Sequence, residues 1–378
     1  MRIAVLSETD PVETRVAATP DMVKKYKNLG ADVAVQAGAG GQASIADADF
    51  ESTGATIAQN AGDTVKDADI VLKVRRPADG ELNGLKKGAL VIGIMDPYGQ
   101  DAALKALADT GASAFAMELM PRITRAQVMD VLSSQANLAG YRAMVDAAEE
   151  YGKAIPMMMT AAGTVPAARI FVMGAGVAGL QAIATARRMG GIVTATDVRP
   201  AAKEQVESLG AKFVAVEDEE FRQAETAGGY AKEMSREYQA KQAELVSSHI
   251  AKQDIVITTA LIPGRPAPKL ISRAMVESMK PGSVIVDLAV ERGGNCEVAK
   301  PGEVADHNGV KIVGHLNVPG RLAATASSLY ARNLYAFVET LVDKTSKQLA
   351  VKWDDELVKA TCLTRDGAIV HTAFQPKS

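Results

Sequence analysis

The residues best suited to chemistry in this chain are three glycines and an aspartate. The stretch RIFVMGAGVAGLQAIATARRMGGIVTATDVRP carries Gly174, Gly176 and Gly179 in G-x-G-x-x-G spacing. An apolar run ending at Met173 precedes them, and a helical pattern through Ala186 follows. In that setting the first glycine permits a tight turn and the second lets a pyrophosphate approach the backbone. The third lets the helix lie close on the sheet. The diphosphate would rest on the helix N-terminus, where free N–H groups and the helix dipole favour an anion. A second strand pattern, GIVTATD, ends at Asp197, about 20 residues past the glycines. A carboxylate there accepts from a ribose 2′-hydroxyl and repels a 2′-phosphate, which favours NAD(H) over NADP(H). Arg199 follows closely and could accommodate a 2′-phosphate, but Asp197 holds the strand end itself.

Two further segments bear on the same ligand. In DIVITTALIPGRPAPKL, Thr259 ends a strand pattern and Leu261 to Gly264 form the following turn. Ligands of doubly wound sheets lie at the carboxyl ends of the strands, so Thr259, Ala260 and Leu261 are candidate walls for the nicotinamide-side ribose. An ordinary loop fits the position equally. Between KFVAV and DIVITTA lie 37 residues, Glu217 to Gln253, where a minimal crossover needs about a dozen. Gly228 and Gly229 precede Tyr230, and a charged helix ending near His249 follows. Paired glycines beside an aromatic suit a flap that closes over a cofactor; a solvated extra helix fits them as well.

The polar residues of RITRAQVMDVLSSQANLAGY form a separate group. The spacing predicts a helix from near Arg125 to about Tyr151, with Val128, Val131, Leu132, Gln135 and Leu138 on a mostly apolar face. Gln127, Asp130, Ser134 and Asn137 recur on another face. Such stripes ordinarily face water.

The elements that must position these residues alternate along the whole chain. RIAVL, DVAVQ, DIVLKV, ALVIGI and SAFAME read as strands in the first third, and ARIFVMG, IVTATD, KFVAV, DIVITTA, SVIVDLA and KIVGH later. Helix-length segments separate them, which argues for an α/β protein with parallel sheets. We expect two doubly wound (Rossmann-like) domains with a cleft between them. Residues 1–132 with 320–378 form the first, and residues 133–319 the nucleotide-binding second. GKAIPMMMTAAGTVPAA reads as a connector, and TASSLYARNLYAFVETLVDK as a helix returning to the first domain. The tail beyond Trp353 shows little periodicity.

Composition excludes several classes. At 378 residues the chain exceeds one core. A formal net charge of −3 gives no electrostatic footprint for nucleic acid. The two cysteines, Cys296 and Cys362, lack metal-ligand spacing and read as free thiols of a reducing compartment. No signal-peptide pattern opens the sequence, and its most apolar run is broken by three glycines and Gln181. The histidines, His249, His307, His315 and His371, sit in no catalytic spacing. No metal site is expected.

Taken together, ETRVAATP, VLKVRRP, RAQVMDVLSSQANLAGYRA, MMMTAAGTVPAA, GAGVAGLQAIATARRMGG, LIPGRPAPKLI, VDLAVERGGN and SSLYARNLYAF resemble one family closely. It is that of the NAD(H)-binding components of proton-translocating nicotinamide nucleotide transhydrogenases, whose architecture the bacterial alanine dehydrogenases share. The resemblance implies that Arg122, Gln127, Asp130 and Ser133 hold the nicotinamide, with an Arg–Asp–Gln network fixing the ring. It implies that Val177, Asp197, Val198 and Arg199 contact the adenosine end, that Gly229 and Tyr230 belong to the flap, and that Thr259 and Leu261 form the cleft wall. It further implies direct hydride transfer from NADH to NADP⁺ on a separate NADP-binding component, and a membrane-spanning partner that moves protons. A homodimer, peripheral on the cytoplasmic face of the membrane, is implied as well. The rival is an NAD-dependent alanine dehydrogenase. Arg15 and Lys73 match the carboxylate- and imine-handling set of those enzymes, but Asp96 stands where they carry a histidine and Glu291 where they carry an aspartate. Loss of such acid/base partners costs roughly 10²- to 10⁴-fold each. Hydride transfer between nicotinamides moves no substrate proton and needs closeness and orientation instead.

Overall fold

Parallel strands of β-branched and other apolar residues build both halves of this chain. A computed structural model describes residues 1–223 and 234–375. The chain divides into two compact units, Met1–Gln135 with Pro319–Ser378, and Ala136–Val318.

Unit 1 opens with β1 (Arg2–Val5), β2 (Asp32–Gln36), β3 (Thr56–Ala58), β4 (Ile70–Arg75), β5 (Leu90–Ile94) and β6 (Ser113–Ala116). The sheet order is β3-β2-β1-β4-β5-β6, all parallel, with Ile3 opposite Val33 on one side and Ile70 on the other. Such strands are buried on both faces and therefore carry near-continuous apolar runs; β4 is buried from Ile70 to Val74. The helix Ala323–Thr340 returns to this unit, and its Tyr330, Leu334 and Phe337 join the core of Ile3, Val5, Ile70 and Leu72. The tail is more ordered than its sequence suggests. Glu356–Thr361 is a helix, Cys362–Arg365 pairs antiparallel to β6, and Ala368–Ile369 pairs with Cys362–Arg365.

The first strands of unit 2 form an exposed hairpin, β7 (Met158–Thr160) and β8 (Gly163–Val165), in the segment whose sequence reads as a connector. Its main sheet contains β9 (Arg169–Met173), β10 (Ile192–Thr196), β11 (Lys212–Phe213), β12 (Ile255–Thr258), β13 (Val284–Asp287), β14 (Val304–His307) and β15 (Val310–Val313). The order is β11-β10-β9-β12-β13-β15-β14, parallel except for β14. The helix Val177–Arg188 lays Ala182, Ile183 and Ala186 on Ile170, Val172 and Ile257. The helix Arg236–Ile250 ends the long insertion.

The long helix between the strand sets runs Val131–Glu150, later than the apolar periodicity indicates. Thr124–Met129 is a tight 3₁₀ turn, and Asp130 takes extended backbone with ψ 91°. Val131 and Gln135 are buried while Val128 and Leu132 are exposed, so the expected apolar face is divided.

Candidate functional site

At the carboxyl end of β9 two of the three motif glycines answer to steric demands and the third leaves open space. Gly174 has φ +103°, a backbone region that residues with a Cβ rarely adopt. A Cβ on Gly179 would lie 1.8 Å from the Gly174 carbonyl oxygen, so only glycine lets the helix start this close to the turn. Nothing lies within 4 Å of a Cβ built on Gly176. Gly176 thus leaves open space at the N-terminus of the helix Val177–Arg188, a cradle suited to a diphosphate.

Asp197 follows β10 beside this turn. Its Oδ2 accepts from the Ala175 amide at 2.7 Å, and its Oδ1 accepts from the Arg199 amide at 2.9 Å. The Arg199 guanidinium donates to both oxygens, at 2.9 and 3.0 Å. Burial works against the charge on Asp197, but these donors outweigh it and hold the carboxyl below its ordinary range. The ion pair also engages the arginine that could otherwise attract a 2′-phosphate. Thr259 closes the turn from β12, its hydroxyl donating to the Gly174 carbonyl at 3.2 Å. Val177, Val198 and Leu261 are exposed apolar side chains following three strand ends of this sheet, and Ile262 is a fourth.

Sequence reasoning passed over Asn295, which holds the loop after Thr259. It is fully buried. Its Oδ1 accepts from the Ala260 amide at 3.0 Å, and its Nδ2 donates to the Ala260 and Pro268 carbonyls at 2.9 and 2.8 Å. The GGN triplet was the only signal, and it names no partner. Gly229 and Tyr230 lie outside the described residues.

Unit 1 holds the residues implied for the nicotinamide end. Arg122 and Gln127 are exposed, and their side chains make no internal hydrogen bond or ion pair among the described residues. Asp130 instead bonds Ser133, accepting from its amide at 2.9 Å and its hydroxyl at 2.5 Å. This caps the helix that begins at Val131. The expected Arg–Asp–Gln network is therefore not formed, and the polar stripe splits. Ser134 turns to Asn333, donating at 2.7 Å, and Arg125 pairs with Asp355 at 2.8 Å.

Elsewhere in unit 1 a buried charge cluster gathers at the carboxyl ends of β1 and β4. Arg15 and Lys73 are 6% and 1% exposed. Glu13 grips Arg15 through two bonds of 2.7 Å, and Gln135 accepts from the same guanidinium at 2.9 Å. Lys73 donates to both oxygens of Glu81, at 2.8 and 2.7 Å, with Glu8 at 3.7 Å. Burial pushes the Glu8 carboxyl up to about 7 against the pull of Lys73, while the Arg15 bonds overcome burial and hold Glu13 down at about 2. Glu118 is likewise raised by burial to about 7. It accepts from the Met95 and Asp96 amides through Oε1, and Asp96 itself sits at φ +46°. His371 is the one histidine of this unit, and its ring contacts Phe374. In unit 2, Glu291 accepts from the Asn317 amide at 3.4 Å.

Among the described residues no group of acidic, histidine or cysteine side chains could hold a metal, and no helix is long and apolar enough to cross a membrane. Both cysteines are buried and free.

Comparison with known proteins places this geometry among relatives. The sequence matches the family described as Alanine dehydrogenase/PNT, N-terminal domain, over residues 4–139 and that described as Alanine dehydrogenase/PNT, C-terminal domain, over 143–372. It is 56% identical to an NAD(P) transhydrogenase alpha-subunit chain of Rhodospirillum rubrum over 99% of both chains. A solved transhydrogenase structure from Sinorhizobium meliloti superposes with a TM-score of 0.89 at 62% identity, covering 98% of this chain and 100% of that one. The alanine dehydrogenase of Halomonas elongata is 31% identical, over 99% of this chain and 95% of its own length.

Proposed function

From the premise that this chain belongs to the alanine dehydrogenase/PNT family, we propose that it is the NAD(H)-binding component of a transhydrogenase. It binds NADH and passes a hydride from the dihydronicotinamide C4 to C4 of NADP⁺ held by a separate component. NADH and NADP⁺ become NAD⁺ and NADPH, with no proton gained or lost in the step. A membrane-spanning component couples the reaction to proton movement. This chain works as a homodimer, peripheral on the cytoplasmic face through its partners.

The glycine turn carries the reading. Gly176 leaves open space at a helix N-terminus, beside an aspartate held ionised. The amides at the start of the helix Val177–Arg188 would receive the diphosphate and Asp197 the adenosine ribose, with Val177, Val198 and Arg199 around the adenosine. Thr259 and Leu261 would flank the nicotinamide-side ribose, and Gly229 and Tyr230 would close over it. Arg122, Gln127, Asp130 and Ser133 would orient the ring and its carboxamide. Two observations favour transhydrogenation over amino-acid oxidation. Arg15 and Lys73 are already bound to glutamates, and Asp96, not an imidazole, follows β5.

Gln127→Asn and Asp130→Asn test the assignment. Asparagine is as good a helix cap as aspartate, so Asp130→Asn spares the fold. Single-turnover hydride transfer should slow by roughly tenfold or more while the NADH dissociation constant changes by less than about threefold. Unchanged transfer in both variants would overturn the roles.

A further inference from the structure

At the opposite edge of the unit 2 sheet from the glycine turn, the strands β9, β12 and β13 begin close to basic residues. Arg169 is the first residue of β9, Lys252 precedes β12 and Lys280 precedes β13. A cavity of about 490 Å³ opens there, lined by these three cations together with Lys153, Tyr151 and Asp254. Its volume lies within the range of about 300–1,000 Å³ usual for small-molecule sites.

The charges in this cavity do not cancel. Among the described residues none of the four cations forms an ion pair; the Lys153 ammonium lies over the Tyr151 ring, 5.9 Å from its centroid. Asp254 is bound by neutral donors, accepting from the Arg169 amide at 2.8 Å and bonding the Tyr151 hydroxyl. Four cations and one carboxylate thus leave three positive charges on a chain whose net charge is −3. On the helix Arg236–Ile250, burial and then the charges of Lys252, Lys212 and Arg169 hold His249 below its ordinary range. Like charges gathered around a cavity raise the local concentration of anions.

We propose that this cavity is a second ligand site, for a small molecule carrying two or more phosphate groups, independent of the dinucleotide turn. Two linked phosphates bring roughly three negative charges near neutral pH, which matches the local excess. The lining reads charge more than shape: its donors are flexible ammonium groups and one guanidinium, and its single aromatic, Tyr151, is buried.

Calorimetric titration of inorganic pyrophosphate into the full chain tests this, with and without saturating NADH. The expected dissociation constant is about 0.1–1 mM, unchanged by NADH, and roughly tenfold weaker for orthophosphate. The double variant Lys252→Gln, Lys280→Gln should weaken pyrophosphate at least tenfold while keeping the parent Tm and NADH affinity. No measurable heat would overturn the proposal, and so would equal affinity for orthophosphate or indifference to the double variant. Competition by NADH would place pyrophosphate in the glycine turn, which overturns this site and leaves the dinucleotide reading intact.

Discussion

Each unit has a turn after the first strand of its sheet, and the two turns are put to opposite uses. β1 lies between β2 and β4, and β9 lies between β10 and β12. Both occupy the place where the strand order reverses and a crevice opens at the carboxyl ends. After β9 the chain reads GAGVAG and leaves open space at Gly176. After β1 it reads LSETDPVETR, and its carboxylates take the donors a ligand would need. Glu8 accepts from the amides of Val74 and Arg75, and Glu13 binds Arg15 and Arg75. The doubly wound topology supplies a crevice twice, and the residues after the first strand decide whether a dinucleotide can enter it.

The contrast predicts separable effects, the largest in unit 1. Lys73→Met strands Glu81 and Glu8 without their shared cation, and breaking a buried pair from one side costs about 3–5 kcal/mol. Calorimetry should show a Tm lower by about 10 °C with NADH affinity intact. An equal loss of NADH affinity in the folded variant would mean that unit 1's cluster serves the ligand after all. Gly176→Ala should do the reverse. With ordinary φ at that position and no neighbour within 4 Å, it should leave Tm within about 1 °C and weaken NADH by about 10- to 100-fold. A normal dissociation constant would remove the cradle from the account.

The smallest effect concerns protons. Glu118 has its folded pKa raised from 4.5 to about 7, so the stability it adds is complete below pH 4.5 and is lost as pH rises through 7. Glu8 behaves in the same way, whereas Glu13, lowered to about 2, gives stability above pH 4.5 that is lost only in acid. Glu118→Gln should therefore raise Tm by a few degrees at pH 8 and change it little at pH 4. A parallel shift at both pH values would show that Glu118 does not titrate between them.

How much of this is legible in the sequence follows from the range of the interactions. The turn is legible because Gly174, Gly179 and Asp197 answer to local geometry at fixed spacing. The long strands are legible because parallel sheets bury both faces. Periodicity misplaces the start of the helix at Val131 because Asp130 and Ser133 form a cap that it does not register. The hairpin at Met158 and the strand at Cys362 escape it because each is short and defined by its pairing partner. The grip of Glu81 on Lys73 and the three bonds of Asn295 depend on tertiary folding, which residue types alone do not reveal.

One trace tests the central claim most directly. The purified chain is mixed with NADH, pyruvate and ammonium while reduced-nicotinamide absorbance is followed, and the NADP-binding component carrying an oxidised NADP⁺ analogue is then added. The account predicts a flat first phase and oxidation of NADH only once the second nicotinamide arrives. Turnover in the first phase would contradict it and make the chain an amino-acid dehydrogenase.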